Sequence, residues 1–226
     1  MENRLHIKSH ILCESRIKQV MNHSAVLKLL SLIITLALLY SCGKDTPKLP
    51  KISEDAVILA FGNSLTYGTG AKPGESYPAI LEDLSGKRIV NAGIPGELSA
   101  KGLQRLSEVL NEYEPELLLL CHGGNDLLRR HECAKTATNL KQMVLMARER
   151  GVSVVLIGVP RPGFMLKTAD FYTHIAEEME LPFEGGILEE ILSDRGLKSD
   201  TTHPNSKGYR LMAEAVHKLL KQTGTL

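Results

Sequence analysis

From residue 56 onward the chain alternates between short apolar runs and longer mixed stretches. The runs Ala56–Phe61, Arg88–Asn91, Glu116–His122 and Val152–Val159 are β-branched or Leu-rich, and most of them stop at a Gly or Pro. That combination predicts strands. Within two of them, "LLLL" and "VVLIGV" show no apolar–polar alternation, so these strands are predicted to be buried on both faces, as in a parallel sheet. Helical periodicity fills the intervals: Tyr77–Leu84, Leu98–Tyr113, Thr136–Arg150, Ala169–Glu180, Ile187–Arg195, and a last helix from Ser206 to Gln222. Strand–helix alternation of this kind predicts a doubly wound α/β sandwich. Ligand sites in such sheets form beyond the carboxyl ends of the strands. The unusual residues gather there: Gly62-Asn63-Ser64 after the first strand, Asn91 to Glu97 after the second, His122 to Asp126 after the third.

The first 42 residues break this pattern. Lys28 precedes twelve mostly apolar residues, Leu29 to Tyr40, and then Ser41-Cys42. A membrane span needs about 20 apolar residues, so this run has instead the length of a signal-peptide core. Its ending, "LYSC", resembles a bacterial lipobox, which makes Cys42 the expected lipidation site and membrane anchor; Tyr40 is bulkier than that pattern usually holds. Residues 1–42 are therefore read as a signal peptide, with Met21 as an alternative start. Residues 43–51, with two prolines, are read as a tether, and 52–226 as the folded domain.

Length and charge narrow the function. A chain of 226 residues fits one domain with appendages and buries a core without disulfide help. Net charge is +1, and the basic excess lies in residues 1–42, leaving 22 Lys and Arg against 24 Asp and Glu in the remainder. Nothing in this balance points to a nucleic-acid partner. Of the four cysteines, Cys121 sits in an apolar run and reads as a small buried hydrophobe. No C-x-x-C and no paired His/Cys spacing suggests zinc, so neither metal nor cofactor is expected.

The loop "GNSLTYGTG" fails the P-loop pattern, because no Lys follows Gly68. It also fails the G-x-G-x-x-G dinucleotide pattern and the G-x-S-x-G elbow. A serine hydrolase of another kind needs a hydroxyl, a base, a group orienting the base, and donors for an oxyanion. "SDTTHPN" offers Asp200 and His203 just before the last helix. "HGGNDL" offers Asn125, and "NAGIPGEL" offers the Gly96 backbone.

Taken in order, "FGNSLTYG", "NAGIPGE", "GGND" and "DTTHP" resemble the blocks of the SGNH hydrolases, also called GDSL esterases and lipases. The resemblance runs from about Ile58 to the last helix and is closest to the exported thioesterase, lysophospholipase and arylesterase branch. It implies a flavodoxin-like three-layer α/β/α sandwich with a five-stranded parallel sheet. Carried over by position, Ser64 is the nucleophile, His203 the general base and Asp200 its orienting acid. The oxyanion hole is then the Ser64 and Gly96 N–H groups with the Asn125 amide. Asn63 departs from the pattern, where the family has Asp.

Other residues carry plainer readings. Asp126 is expected to fix its own loop, Gly93 to make a turn, and His122 to pack at a strand end without an acid partner. Phe164, Met165 and Leu166 either line an acyl pocket or cap the core. The expected activity is hydrolysis of short or medium acyl esters, aryl esters, thioesters or lysophospholipids through an acyl-enzyme. One rival is an O-acetyl esterase acting on carbohydrate or cell wall; another is a non-catalytic ligand-binding surface lipoprotein. Gly43 after Cys42 points to outer-membrane attachment facing the periplasm or cell surface.

Overall fold

In the computed structural model, residues 26–31, 46–163 and 166–226 are described. The lipidation residue Cys42, most of the expected signal peptide, and Phe164 and Met165 lie outside them. Residues 26–31 are helical and belong to a unit separate from residues 46–226. Among the described residues no helix is long and apolar enough to cross a membrane.

The domain centres on five parallel strands in the order β2-β1-β3-β4-β5. They are β1 (Val57–Gly62), β2 (Arg88–Gly93), β3 (Leu117–Cys121), β4 (Ser153–Ile157) and β5 (Phe183–Glu184). The unbroken apolar runs behave as their pattern requires: Ile58 to Phe61, Leu117 to Cys121 and Val154 to Ile157 are buried. Each buried Val, Leu, Ile or Phe among them contributes about 1.5–3 kcal/mol by leaving water, so these three strands form the centre on which the helices pack. Two helix layers provide the burial. On one face α2 (Tyr77–Ser85) packs on α8 (Ser206–Thr223), which also meets α7 (Ile187–Ser193). On the other, α3 (Ser99–Tyr113) packs on α5 (Cys133–Arg148), which meets α6 (Asp170–Glu178). The three-layer α/β/α architecture is the expected one.

Register decides where the site can be. Gly62 lies opposite Gly93 of β2 and opposite Cys121 of β3, so three strands end at one level. The loops carrying Ser64, Gly96 and Asn125 therefore leave the same edge. That edge is also where the strand order reverses, the usual crevice of an open α/β sheet. Three buried tyrosines brace it from the helix layers. Tyr209 Oη donates to the Thr69 carbonyl at 2.8 Å, Tyr172 Oη donates to the His122 carbonyl at 2.6 Å, and Tyr77 Oη lies 3.4 Å from Thr66 Oγ1.

Three features differ from the pattern-based reading. Two short helices, α1 (Ser64–Tyr67) and α4 (Gly124–Leu128), stand where loops were expected. Strand β5 has only two residues, too few to leave a periodic trace. The segment read as a tether is docked at Leu49, whose N donates to the Thr223 carbonyl at 3.1 Å, just before Ile52 N, at the start of the expected domain, donates to the Thr225 carbonyl at 3.1 Å. Leu49 packs on the core, so this one apolar side chain outweighs the polar, proline-containing composition around it.

Candidate active site

The serine is presented by a sharp strand-to-helix junction. Asn63 caps α1, its Oδ1 accepting from Leu65 N at 3.1 Å, and α1 closes at Gly68 in the left-handed region. Ser64 is thus the first residue of a one-turn helix, where backbone N–H groups have no intrahelical acceptor. The glycines flanking this junction act by leaving space. A Cβ on Gly62 would sit 2.1 Å from the Cys121 carbonyl oxygen, and one on Gly93 would sit 2.2 Å from Tyr67 N. Neither has a positive φ, so close backbone approach accounts for both, in place of the turn expected at Gly93.

Opposite Ser64 stands the loop before α8. Asn205 caps that helix with Oδ1, accepting from Lys207 N and Gly208 N, and its Nδ2 donates to the Gly196 carbonyl. Ser199 N donates to the His203 carbonyl at 2.9 Å, closing the loop on itself. Asp200 serves two ends at once. Its Oδ1 accepts from Thr202 N at 2.7 Å and His203 N at 2.9 Å, an Asx turn, while Oδ2 lies 2.8 Å from His203 Nδ1. On the far side of the ring, His203 Nε2 lies 3.0 Å from Ser64 Oγ. Asp200, His203 and Ser64, 139 residues apart at their extremes, form one continuous chain of hydrogen bonds.

The electrostatics fit a histidine base oriented by an ionised carboxylate. The His203 side chain is 20% exposed and that of Asp200 52%, so the ring is shielded while its acid partner faces solvent. Burial would raise the Asp200 carboxyl, but the hydrogen bonds from His203 and from the Thr202 and His203 N–H groups outweigh it and hold it down to about 2. Asp200 is therefore ionised throughout the neutral range and favours the proton on Nδ1, leaving Nε2 free to accept from a hydroxyl.

Ser64 and His203 open into a cavity of about 340 Å³, at the small end of small-molecule sites. Its wall includes Leu128, Val159, Pro160, Leu166 and Leu192, with Asn63, Asn125 and Lys198 as polar members. Leu166 thus lines the cavity and also packs on the core. Asn125, half-buried in the first turn of α4, donates one amide N–H to the Glu97 carbonyl at 2.9 Å, which leaves its second N–H for a ligand. Gly96, next to Glu97, sits exposed at φ +78°, a conformation suited to Gly, and is not part of the cavity wall.

A family model of the GDSL-like lipase/acylhydrolases matches residues 60–211. The chain belongs to that family. It is a serine hydrolase of the SGNH type acting on ester bonds, which sets aside a non-catalytic binding lipoprotein. Thioesterase 1/protease 1/lysophospholipase L1 of Escherichia coli K12 is 28% identical over 172 residues, 73% of this chain and 83% of that protein. Among solved structures, esterase EstA from Pseudoalteromonas sp. superposes with a TM-score of 0.68 at 26% identity, covering 74% of this chain and 98% of the other. Esterase AlinE4, of the SGNH-hydrolase family, gives 0.58 at 33% identity over 76% and 98%.

Other residues at this edge sit in places the sequence hid. His122 was expected to lack an acid; the structure instead sets its Nε2 3.1 Å from Glu97 Oε2. The partner was missed because it lies 25 residues away, on another loop. Asp126 accepts from Ser99 N at 2.9 Å and Ser99 Oγ at 2.7 Å, tying α4 to the start of α3 rather than bracing only its own loop. Cys121 and Cys133 are free thiols, and burial pushes the Cys121 thiol up to about 12, where it is inert.

Proposed function

We propose that the chain hydrolyses short- to medium-chain carboxylic esters or thioesters, with aryl esters and lysophospholipids within its range, through an acyl-enzyme on Ser64. The observation supporting this most strongly is the Asp200–His203–Ser64 relay opening onto an apolar-walled cavity. Ser64 Oγ attacks the carbonyl carbon while His203 Nε2 takes its proton. The oxyanion is received by the Ser64 and Gly96 N–H groups and the Asn125 amide. Collapse breaks the bond to the leaving alcohol or thiol, which takes the proton from His203. A water deprotonated by His203 then attacks the acyl-enzyme, releasing the acid and returning the proton to Ser64. Asp200 stabilises the imidazolium in both halves without itself taking the proton.

The acyl chain occupies the cavity beside Leu128, Val159 and Leu166. This wall favours a hydrocarbon over a sugar, because carbohydrate hydroxyls placed there would lose hydrogen bonds to water. In the same reading Cys42 carries the lipid that holds the exported protein at the outer membrane; Cys42→Ser should release it in soluble form. A panel of p-nitrophenyl acetate, butyrate, octanoate and palmitate, with a butyryl thioester, tests the substrate class. The expected kcat/KM rises from acetate to butyrate or octanoate and falls at palmitate, with Ser64→Ala inactive throughout. A preference for acetylated sugar over every alkyl ester would overturn it.

A further inference from the structure

A buried polar cluster lies directly beneath the site. Arg105, from α3, forks onto the Glu97 carboxylate, Nε to Oε1 and Nη2 to Oε2, both at 2.7 Å. The same Nη2 reaches the Ala92 carbonyl at 2.9 Å and the Gly62 carbonyl at 3.3 Å. The guanidinium also lies 4.0 Å over the Phe61 ring. His122 closes the other side. Gly123 N donates to its Nδ1 at 2.9 Å, which leaves the ring proton on Nε2, facing Glu97 Oε2. The ring fits only because α3 has Gly102 there, where a Cβ would come within 2.5 Å of Nε2. The Glu97 side chain is 7% exposed and that of His122 0%. Burial would raise the Glu97 carboxyl, but the hydrogen bonds from His122 and Arg105 hold it below the usual carboxylate value.

We propose that Glu97 is the positioning residue of the oxyanion hole. Its carboxylate is locked by Arg105 and His122, and its backbone carbonyl receives the Asn125 amide; together these fix the Gly96 N–H and the Asn125 N–H relative to Ser64. The placement of the cluster supports a geometric role. Gly62 ends β1, Ala92 is the last residue but one of β2 and His122 follows β3, and each lies two to four residues before Ser64, Gly96 or Asn125. One ion pair thus holds all three loops in mutual register. Buried ion pairs add little net stability, since desolvation offsets their attraction, so the value of this one lies in the geometry it specifies. The inference rests on the Ser64 acyl-enzyme reading.

Glu97→Gln keeps the shape but sets an amide N–H against the Arg105 or His122 donor. On p-nitrophenyl butyrate it should lower kcat about tenfold to hundredfold, with KM within about twofold, because only transition-state contacts are misplaced. In an Asn125→Ala background the same change should cost severalfold less than in the wild type, since the share of its effect that passes through that amide is already lost and only the share through Gly96 remains. Arg105→Lys, which keeps charge but loses the fork, should repeat both results and decides the matter if Glu97→Gln does not fold. Wild-type kcat in both variants, a loss carried by KM, or full additivity with Asn125→Ala would overturn the proposal. A wild type that leaves the ester intact, or an active Ser64→Ala, would instead strike the assignment of Ser64 itself.

Discussion

Asn125→Ala separates what the amide does for the reaction from what it does for the fold. In the resting protein Asn125 gives one N–H to the Glu97 carbonyl at 2.9 Å. Removing it leaves a backbone acceptor on a half-buried loop that water can reach, so stability should fall by about 0.5–1.5 kcal/mol. In the proposed mechanism the second N–H meets an oxygen that gains its charge only in the transition state. Losing one such donor raises the barrier by about 2.7–4 kcal/mol, or about 10²–10³ in kcat. KM should stay near the wild-type value, because the ground-state carbonyl gains little from that donor. Steady-state kinetics on p-nitrophenyl butyrate, with a thermal melt of the same preparation, measure both quantities. A kcat within about fivefold of wild type, or a loss carried equally by KM, would refute the reasoning.

Two further outcomes follow from individual side chains. Asn63→Asp keeps the α1 cap, because a carboxylate also accepts from Leu65 N, and the position is only 2% exposed. Hydrolysis should stay within about tenfold, or about 1.4 kcal/mol of barrier, and complete loss would show that the amide N–H is indispensable. Asp200 has a folded-state pKa of about 2 against an ordinary 3.8, so the unfolded chain holds its proton more tightly. Its contribution to stability is therefore full above 3.8 and lost as pH falls towards 2. The Tm gap between wild type and Asp200→Asn should be present at neutral pH and close across that window; a gap that widens in acid would contradict the assignment.

The sheet was legible because β1, β3 and β4 are buried on both faces and so consist of unbroken apolar runs. The candidate site residues could be picked out because Ser64, Gly96, Asn125 and His203 lie beside a glycine, proline or cap that leaves a local trace, and because four blocks occur in family order. Short elements were not: α1 and α4 owe their helical turns to Asn63 and to the tightly packed Gly123–Gly124 backbone, not to apolar periodicity. The Glu97–Arg105–His122 cluster escaped for another reason. Arg105 on α3 looks like one more polar helix residue, and only the carbonyls at two strand ends and the Glu97 carboxylate turn it inward. The docking of Leu49 and Ile52 depends likewise on where the last helix ends, which no local pattern around them records.

The Ser64 assignment is most directly tested by intact-mass and peptide mapping after treatment with an alkyl fluorophosphonate. Wild type should gain one phosphonyl group, mapped to the peptide bearing Ser64, with esterase activity lost in step. Ser64→Ala should gain none, and His203→Ala should label far more slowly. An adduct on another serine accompanied by full loss of activity, or an unlabelled wild type that still hydrolyses its esters, would contradict a nucleophilic Ser64.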